Sequence, residues 1–418
     1  MTEQEENWFN ILKKDREDNA KILDKPSMRG IKKSVVEKYS DQAHFIYELL
    51  QNANDAKATK SEFELNTDGL YFKHDGKILF SISNPEKEDE DQQHNRLGHI
   101  NSITSIANSN KFESSIGKFG VGFKSVFQYT ETPHIYDPNF QFKIEKFIVP
   151  VKLENDLPNR QDDETVFYFP FNKPDMPKER AYSDILEKLK TLVFPTLFLP
   201  ILQEVAWCAS NEKGSYTKRS LKKEQKEDIT YEQIELYRQI GANKTTERLY
   251  LFSRPINENQ NLIYSIGYFL DEKGKLIPKQ FPAFCYFPTK ETTGLNFILH
   301  APFLLTDSRE NIHRSKEHNT KMIDLLSQLA ADSLLILKDL KLIDDNITEI
   351  IPYKMPVGDG FFAPFHHKIK QKFDKEKILP AKDEYVGKGN AYWAEDNSVI
   401  ELFSDEQLAD LIKNQNAK

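Results

Sequence analysis

Cysteine is all but missing from this chain. Only Cys208 and Cys285 occur in 418 residues, each in an apolar setting (Ala-Trp-Cys-Ala and Ala-Phe-Cys-Tyr). Two such cysteines cannot build a disulfide framework or a metal-ligand spacing, and the pattern fits a reducing cytosol. Long hydrophobic runs are missing as well. The longest, Leu192 to Val205, is interrupted by Pro195 and Pro200. It falls short of the roughly 20 residues that span a bilayer and reads as buried core. The chain opens on the acidic Met1-Thr-Glu-Gln-Glu-Glu-Asn7 with no apolar h-region, so no signal peptide, no membrane and a cytoplasmic location are expected. Positive charge is not in excess: 57 Lys and Arg face 65 Asp and Glu, a net charge of −8, which removes the global basic footprint of a nucleic-acid binder. Repeats and low-complexity tracts are absent. The length suffices for two or three domains.

What is present begins with a charged stretch over 1–27 carrying Trp8, Phe9, Ile11 and Leu12, read as a short helix or docking arm. Asp41 can cap a helix from about Gln42 to Ala56. A strand follows at Gly69–His74, stopping at Asp75-Gly76, and a second is expected at Lys77–Ser83. Residues 84–113 are polar. Their acidic run Glu86–Asp91 reads as a solvated loop, and Ile100–Ala107 as a short helical pattern, so that Asn84–Ser115 looks like a mobile flap. Strands are expected at 133–137, 141–152 and 164–171, before a linker at Asn172–Pro177. Beyond it come a helix from Glu179 to about Leu192 and strands near 201–208, 248–254, 262–270, 282–287 and 294–300. A long helix follows from about Lys316 to Leu340, and then a mixed tail over 351–418 with helices at 366–374 and 404–414, the last capped by Ser404.

Two stretches carry chemistry. In Phe45-Ile-Tyr-Glu-Leu-Leu-Gln-Asn-Ala-Asn-Asp-Ala56, Glu48, Asn52 and Asp55 fall at i, i+4 and i+7 on one side of a helix, and Ile46, Leu49, Leu50 and Ala53 fall on the other. Alone, such a stripe is the ordinary wet face of a surface helix. The second stretch is Ile116-Gly-Lys-Phe-Gly-Val-Gly-Phe-Lys-Ser125. Glycines before a helix let backbone N–H groups approach an anion. The spacing matches neither a Walker A loop nor a Rossmann fingerprint, and alone it could be a flexible turn.

Together, Glu-x-x-x-Asn-x-x-Asp-Ala on a helix, a strand ending in Asp-Gly, a polar flap and Gly-x-Phe-Gly-Val-Gly-Phe-Lys-Ser resemble the GHKL ATPase superfamily. This group includes the ninety-kilodalton heat-shock chaperones, MutL, the gyrase ATPase subunit, MORC proteins and sensor histidine kinases. Tyr-Glu-Leu-Leu-Gln-Asn-Ala-Asn-Asp-Ala looks most like its sacsin-type branch. The resemblance implies an α+β chain. Its parts would be an N-terminal arm (1–27), a Bergerat-fold α/β-sandwich ATPase domain (28–175), an α/β transducer-like middle domain (176–350) and a small mixed C-terminal region (351–418). It implies ATP and Mg²⁺ as cofactors and slow ATP hydrolysis. Asn52 would hold the metal, and Glu48 would be the general base. Asp55 would lie near the nucleoside, with Ala56 giving room for the base. Gly117, Lys118, Phe119, Gly120, Val121, Gly122 and Phe123 would form the phosphate loop. Asn84–Ser115, with Ser109 and Lys111, would be the ATP lid.

One departure stands out. The family's adenine motif is Asp-x-Gly, whereas here the sequence is His74-Asp75-Gly76. His74, Asp75 and Gly76 are all candidates, although His74 could equally be a strand-end histidine that only packs. Thr165 matches the family's late adenine-supporting threonine, or is an ordinary strand threonine. In the middle region, Phe287–Asn311 resembles the sacsin-type segment. There Arg309, with Arg314 and Lys290 behind it, would reach the γ-phosphate, unless these are solvated surface cations.

The resemblance implies a chaperone-like ATPase whose lid closure is coupled to a protein partner, an effector or client, or to a nucleotide-dependent homodimer, with antiviral (anti-phage) defence as one setting. The alternatives are an ATP sensor without turnover and a DNA-associated ATPase of the MutL or MORC kind. For the latter, Lys213–Lys226 is the one basic stretch, and it reads as a solvated loop. A histidine kinase is set aside, because no phospho-acceptor helix precedes the motif helix. The chain could be a complete short member or the N-terminal portion of something longer.

Overall fold

The computed structural model describes residues 1–28, 30, 45–106, 122–158, 160–256, 259–306, 310–351, 360–381, 384–391 and 402–413. The described residues fall into two compact units. One draws on Met1–Arg219 and Leu236–Thr246, the other on Ser220–Glu235, Glu247–Thr306 and Glu310–Lys418. Helices and mixed sheet occur in both, an α+β chain.

The first unit opens with α1 (Glu3–Leu23). Thr2 and Glu5 form a reciprocal capping box there, satisfying amides that the first turn leaves free. Then come α2 (Phe45–Asp55), β1 (Lys60–Asn66), β2 (Gly69–His74), α3 (Glu88–Gln93), α4 (His99–Ile103), β3 (His134–Tyr136), β4 (Gln141–Glu145), β5 (Val149–Lys152), β6 (Thr165–Pro170), α5 (Lys178–Thr191), β7 (Glu204–Ala209) and the first part of β8 (Glu212–Lys226). The sheet runs β8-β7-β1-β2-β6-β3-β4-β5. Strands β1 and β7 pair in parallel; β1–β2, β2–β6, β3–β6, β3–β4, β4–β5 and β7–β8 pair antiparallel.

Strand alternation sorts this sheet's faces. Phe63 on β1, Phe72 on β2 and Phe167 and Phe169 on β6 are buried on one face. Each contributes roughly 1.5–3 kcal/mol through the apolar area it removes from water. The Phe45 ring lies 5.9 Å from Phe169, and Phe123 lies 6.1 Å from Phe167, so α2 and the short 3₁₀ helix Phe123–Gln128 cover this face. Phe9 of α1 reaches Phe142 of β4 at 6.2 Å.

In the second unit, β9 (Ile229–Ile240, in part), β10 (Asn243–Ile256), β11 (Asn259–Leu270), β12 (Leu276–Ile277), β13 (Pro282–Cys285), β14 (Phe287–Thr292) and β15 (Ile298–His300) give the order β14-β13-β15-β11-β10-β9, with β12 on β11. Helices α6 (Glu317–Asp339), α7 (Ile347–Ile350) and α8 (Ala363–Lys375) follow, then β16 (Leu379–Ala381), β17 (Glu384–Val386) and α9 (Asp405–Leu411). Helix α6 packs on β11, where Tyr268 Oη and Ser333 Oγ lie 3.1 Å apart. Ser404 caps α9 by accepting the Gln407 amide.

Several expectations are corrected. Lys77–Ser83 forms no strand. The Lys77 and Ile78 amides instead both donate to the Ala56 carbonyl, so the segment ties down the end of α2. The acidic run Glu86–Asp91 is not a solvated loop but part of a 3₁₀ turn and α3. Lys213–Lys226 is not a loop either; it lies within β8. Its lysines fall on both faces of a strand that is exposed over much of its length, a pattern that charge alone does not disclose. The single strand expected over 141–152 is split by a turn at Lys146 and Phe147, both at positive φ. Strands β1, β9, β12, β14, β16 and β17 form where the sequence pattern predicts none. The expected Asp41 cap lies outside the described residues.

Candidate functional site

Helix α2 is buried from Phe45 to Asn54. Its apolar side (Ile46, Leu49, Leu50, Ala53) is at most 1% exposed, and its polar stripe is also covered: Glu48 and Asn52 are each 7% exposed. A wet surface stripe is therefore excluded. The helix stops in a Schellman turn, with Lys57 in the left-handed region at φ 66° and the Ala58 amide donating to Ala53. Asn54 faces away from the stripe's partners and anchors the chain before β7, accepting the Ile201 and Leu202 amides at 2.9 and 3.2 Å.

The N-terminal end of the stripe meets the last glycine of the glycine-rich stretch. A Cβ placed on Gly122 would stand 1.9 Å from Glu48 Oε2. Gly122 has an ordinary helical backbone (φ −66°, ψ −42°), so glycine is required there for space and not for conformation. Phe123 is buried against Phe167 and Phe169. Gly117, Lys118, Phe119, Gly120 and Val121 lie outside the described residues, as do Ser109 and Lys111.

At its other end the stripe reaches the tip of β2. A Cβ on Gly76 would come within 2.9 Å of the Ala56 Cβ and 2.8 Å of His74 Nδ1. Asp55 stands one residue before Ala56, and burial pushes its carboxyl up to about 7. His74 is buried, with its ring near Phe72 and Phe167, and its Nδ1 accepts the Gly76 amide at 3.1 Å. Burial lowers its pKa to about 4, so the ring is neutral at physiological pH. With Nδ1 accepting, the proton sits on Nε2.

Asp75 has a different task. Its carboxylate accepts the Thr59 amide (2.8 Å), the Thr59 hydroxyl (2.6 Å) and the Lys60 amide (2.9 Å). Burial raises its pKa, but these hydrogen bonds outweigh that and hold it below the ordinary value. Asp75 thus clamps the start of β1. Thr165 is buried at the head of β6 and donates to Asp137 Oδ2 at 2.8 Å, and Asp137 also accepts the Asn139 amide. Asp137 is fully buried, and nothing in its local sequence marks it out.

The segment expected to be a mobile flap is fastened over its described part, 84–106. Buried Arg16 of α1 reaches both oxygens of Glu88 (2.6 and 2.8 Å). Glu88 also accepts Asn101 Nδ2, and Asn101 Oδ1 accepts the Ser83 amide. From the Phe-Lys-Ser of the motif, fully buried Lys124 donates to the carbonyls of Ile103 and Phe147, each at 2.8 Å, and lies over the Phe147 ring. Burial, aided by Arg16, brings its pKa down to about 7. Lys124 thereby links the 3₁₀ helix after Gly122 to the end of α4.

Of the three cations expected to serve the γ-phosphate, Arg309 lies outside the described residues. In the second unit Lys290 pairs with Glu310 at 2.5 Å, and Arg314 pairs with buried Glu291 at 2.5 Å. Among the described residues no cluster of three or more His, Cys, Asp or Glu could hold a metal ion, and no helix is long and apolar enough to cross a membrane.

A helix whose Glu-Asn-Asp stripe is buried at Glu48 and Asn52 and half-buried at Asp55, laid over a mixed sheet with glycines packed at both ends, is the class of site the first unit defines. Residues 25–145 match the family model described as the sacsin domain. An alignment of 376 positions, covering 80% of this chain, is 27% identical to Protein NO VEIN of Arabidopsis thaliana. An alignment of 122 positions, covering 27% of this chain, is 30% identical to sacsin of Homo sapiens. The chain spans 13% of the first protein and 2% of the second. The crystal structure of the N-terminal domain of a DNA repair protein aligns with 68% of this chain and 91% of its own, at 10% identity and a TM-score of 0.34. That score is too low to assign a shared fold. The chain is thus similar to sacsin-type proteins, and the family match covers the segment that carries both motifs.

Proposed function

We propose that the first unit binds ATP with Mg²⁺ and hydrolyses it slowly, in the manner of a GHKL-type ATPase of the sacsin-like branch. The observation that carries this reading is the contact between the Glu48 carboxylate and Gly122. It sets a buried acid at Gly122, the last glycine of the motif, whose backbone amides would suit a triphosphate. There Glu48 can take the proton of a water attacking the γ-phosphate, with ADP leaving.

The donor set fits magnesium. This ion takes few protein oxygens and keeps its remaining positions for water and phosphate. The Asn52 amide oxygen between two carboxylates suits that role better than a closed cage would. When bound, the ion would neutralise charge on the phosphates. The residues of α2 hold the stripe rigid, because its opposite face is packed in the core. The segment 84–115 serves as the lid in this reading, with its first part pinned by Arg16 and Lys124.

Coupling of turnover to a protein partner or to self-association, and a role in anti-phage defence, belong to the same proposal. Phosphate release by the full chain tests the catalytic claim. Glu48→Ala should retain ATP binding and lose turnover by about 10²–10⁴-fold, the usual worth of a general base. Equal release from parent and variant would leave the ATP-sensing reading instead.

A further inference from the structure

The adenine carboxylate that the motif comparison leads one to expect is missing, and Asp75 does not replace it. What the fold offers instead is a row set by strand register. On the antiparallel pairs β1–β2 and β2–β6, Ser61 faces His74 and His74 faces Thr165. Directly opposed residues share a face. Strand alternation puts this row on the same face as Phe63, Phe72 and Phe167, the face that α2 covers. The Gly76 contacts with Ala56 and His74 place the row beneath the C-terminal end of α2.

The polarity of two members is fixed. His74 Nδ1 is taken by the Gly76 amide, leaving Nε2–H as a donor. The Thr165 hydroxyl spends its proton on Asp137, leaving its oxygen as an acceptor. The third member is unspent. Ser61 is 4% exposed, and its buried Oγ has no hydrogen-bond partner among the described residues. A buried hydroxyl with no partner is costly, and native structures rarely retain one without a use.

We infer that Ser61, His74 and Thr165 together read the edge of a purine base, with Ser61 as a binding residue whose partner is the ligand and Asp137 as the positioning residue that keeps Thr165 an acceptor. This deepens the nucleotide reading above and rests on it. A fixed donor beside a fixed acceptor complements adenine at N1 and the 6-amino group. It also complements guanine at O6 and N1–H. A carboxylate, by contrast, offers only acceptors.

The test is calorimetric titration of the full chain with ATP and with GTP, each with Mg²⁺, alongside thermal melting without nucleotide. The variants are Ser61→Ala and the near-isosteric Ser61→Cys. Ser61→Ala should weaken nucleotide binding about tenfold, the worth of one good hydrogen bond. It should also leave the nucleotide-free melting temperature unchanged or raise it, because it deletes an unsatisfied hydroxyl. Ser61→Cys should bind with intermediate affinity. Unchanged affinity in both variants would overturn the role of Ser61. So would a lowered melting temperature with no loss of binding, which marks a structural serine. Tighter binding of GTP than ATP, still weakened by Ser61→Ala, would sustain the row and sink the ATP reading. A parent chain that binds neither nucleotide would sink both.

Discussion

The two ends of the α2 stripe are built differently. At the Glu48 end, one helix residue meets one glycine, and both belong to short local motifs. At the Asp55 end, Ser61, His74, Thr165 and Asp137 come from four places in the chain and are gathered by strand pairing. The first end presents charge and tight backbone, which suits catalysis on a phosphate. The second presents neutral groups of fixed polarity, which suits recognition of a heterocycle. In the proposed reading, chemistry is carried by spacing and specificity by register.

The sharpest way to break this contrast is Gly122→Ala. Its methyl would occupy the Glu48 carboxylate's place, so turnover at saturating ATP should fall by about 10³-fold, roughly 4 kcal/mol. Steady-state phosphate release checks this, and a change confined to KM would blur the two ends.

Asp55 comes next. With a folded pKa of about 7 against about 3.9 unfolded, the native state holds the extra proton between those values. Its contribution to stability therefore falls from about pH 4 to pH 7 and stays lost above that. Asp55→Asn should match the parent below pH 4 and exceed it above pH 7, by at most about 4 kcal/mol. His74 runs the other way. Its folded pKa of about 4 lies below the unfolded 6.5, so it makes stability rise through that window. Denaturant titrations of the parent and Asp55→Asn across pH 4–8 separate the two slopes.

Gly76→Ala should displace His74 and Ala56, weakening nucleotide binding about tenfold while saturated turnover holds. That is the mirror image of Gly122→Ala, read by the same assay. The smallest effect is Lys57→Gly. It relieves a non-glycine residue at φ 66° and should stabilise the unit by about 1 kcal/mol in chemical denaturation.

The contrast also explains what the sequence could disclose. The α2 stripe was legible because helical periodicity is local, and its apolar face is buried as the spacing requires. Its burial on the polar side was not legible, since a wet face and a site wall have the same period. Thr165 was reached only through the family resemblance, and its partner Asp137 was missed. Ser61 was missed because β1 carries charged residues at alternate positions (Lys60, Glu62, Glu64) and reads as loop until the parallel pairing with β7 is seen. The Lys213–Lys226 strand was missed for the same reason: long-range pairing overrode a composition that looked solvated. Lys124 sits inside the recognised motif, yet only tertiary packing turns it into a latch between Ile103 and Phe147.

Calorimetric titration of the full chain with a non-hydrolysable ATP analogue, with and without Mg²⁺, on the parent and on Asn52→Ala, tests the central claim most directly. The account predicts one site per chain, tightened by Mg²⁺ in the parent and insensitive to Mg²⁺ in Asn52→Ala. No binding by the parent, or the same Mg²⁺ dependence in both, would contradict it.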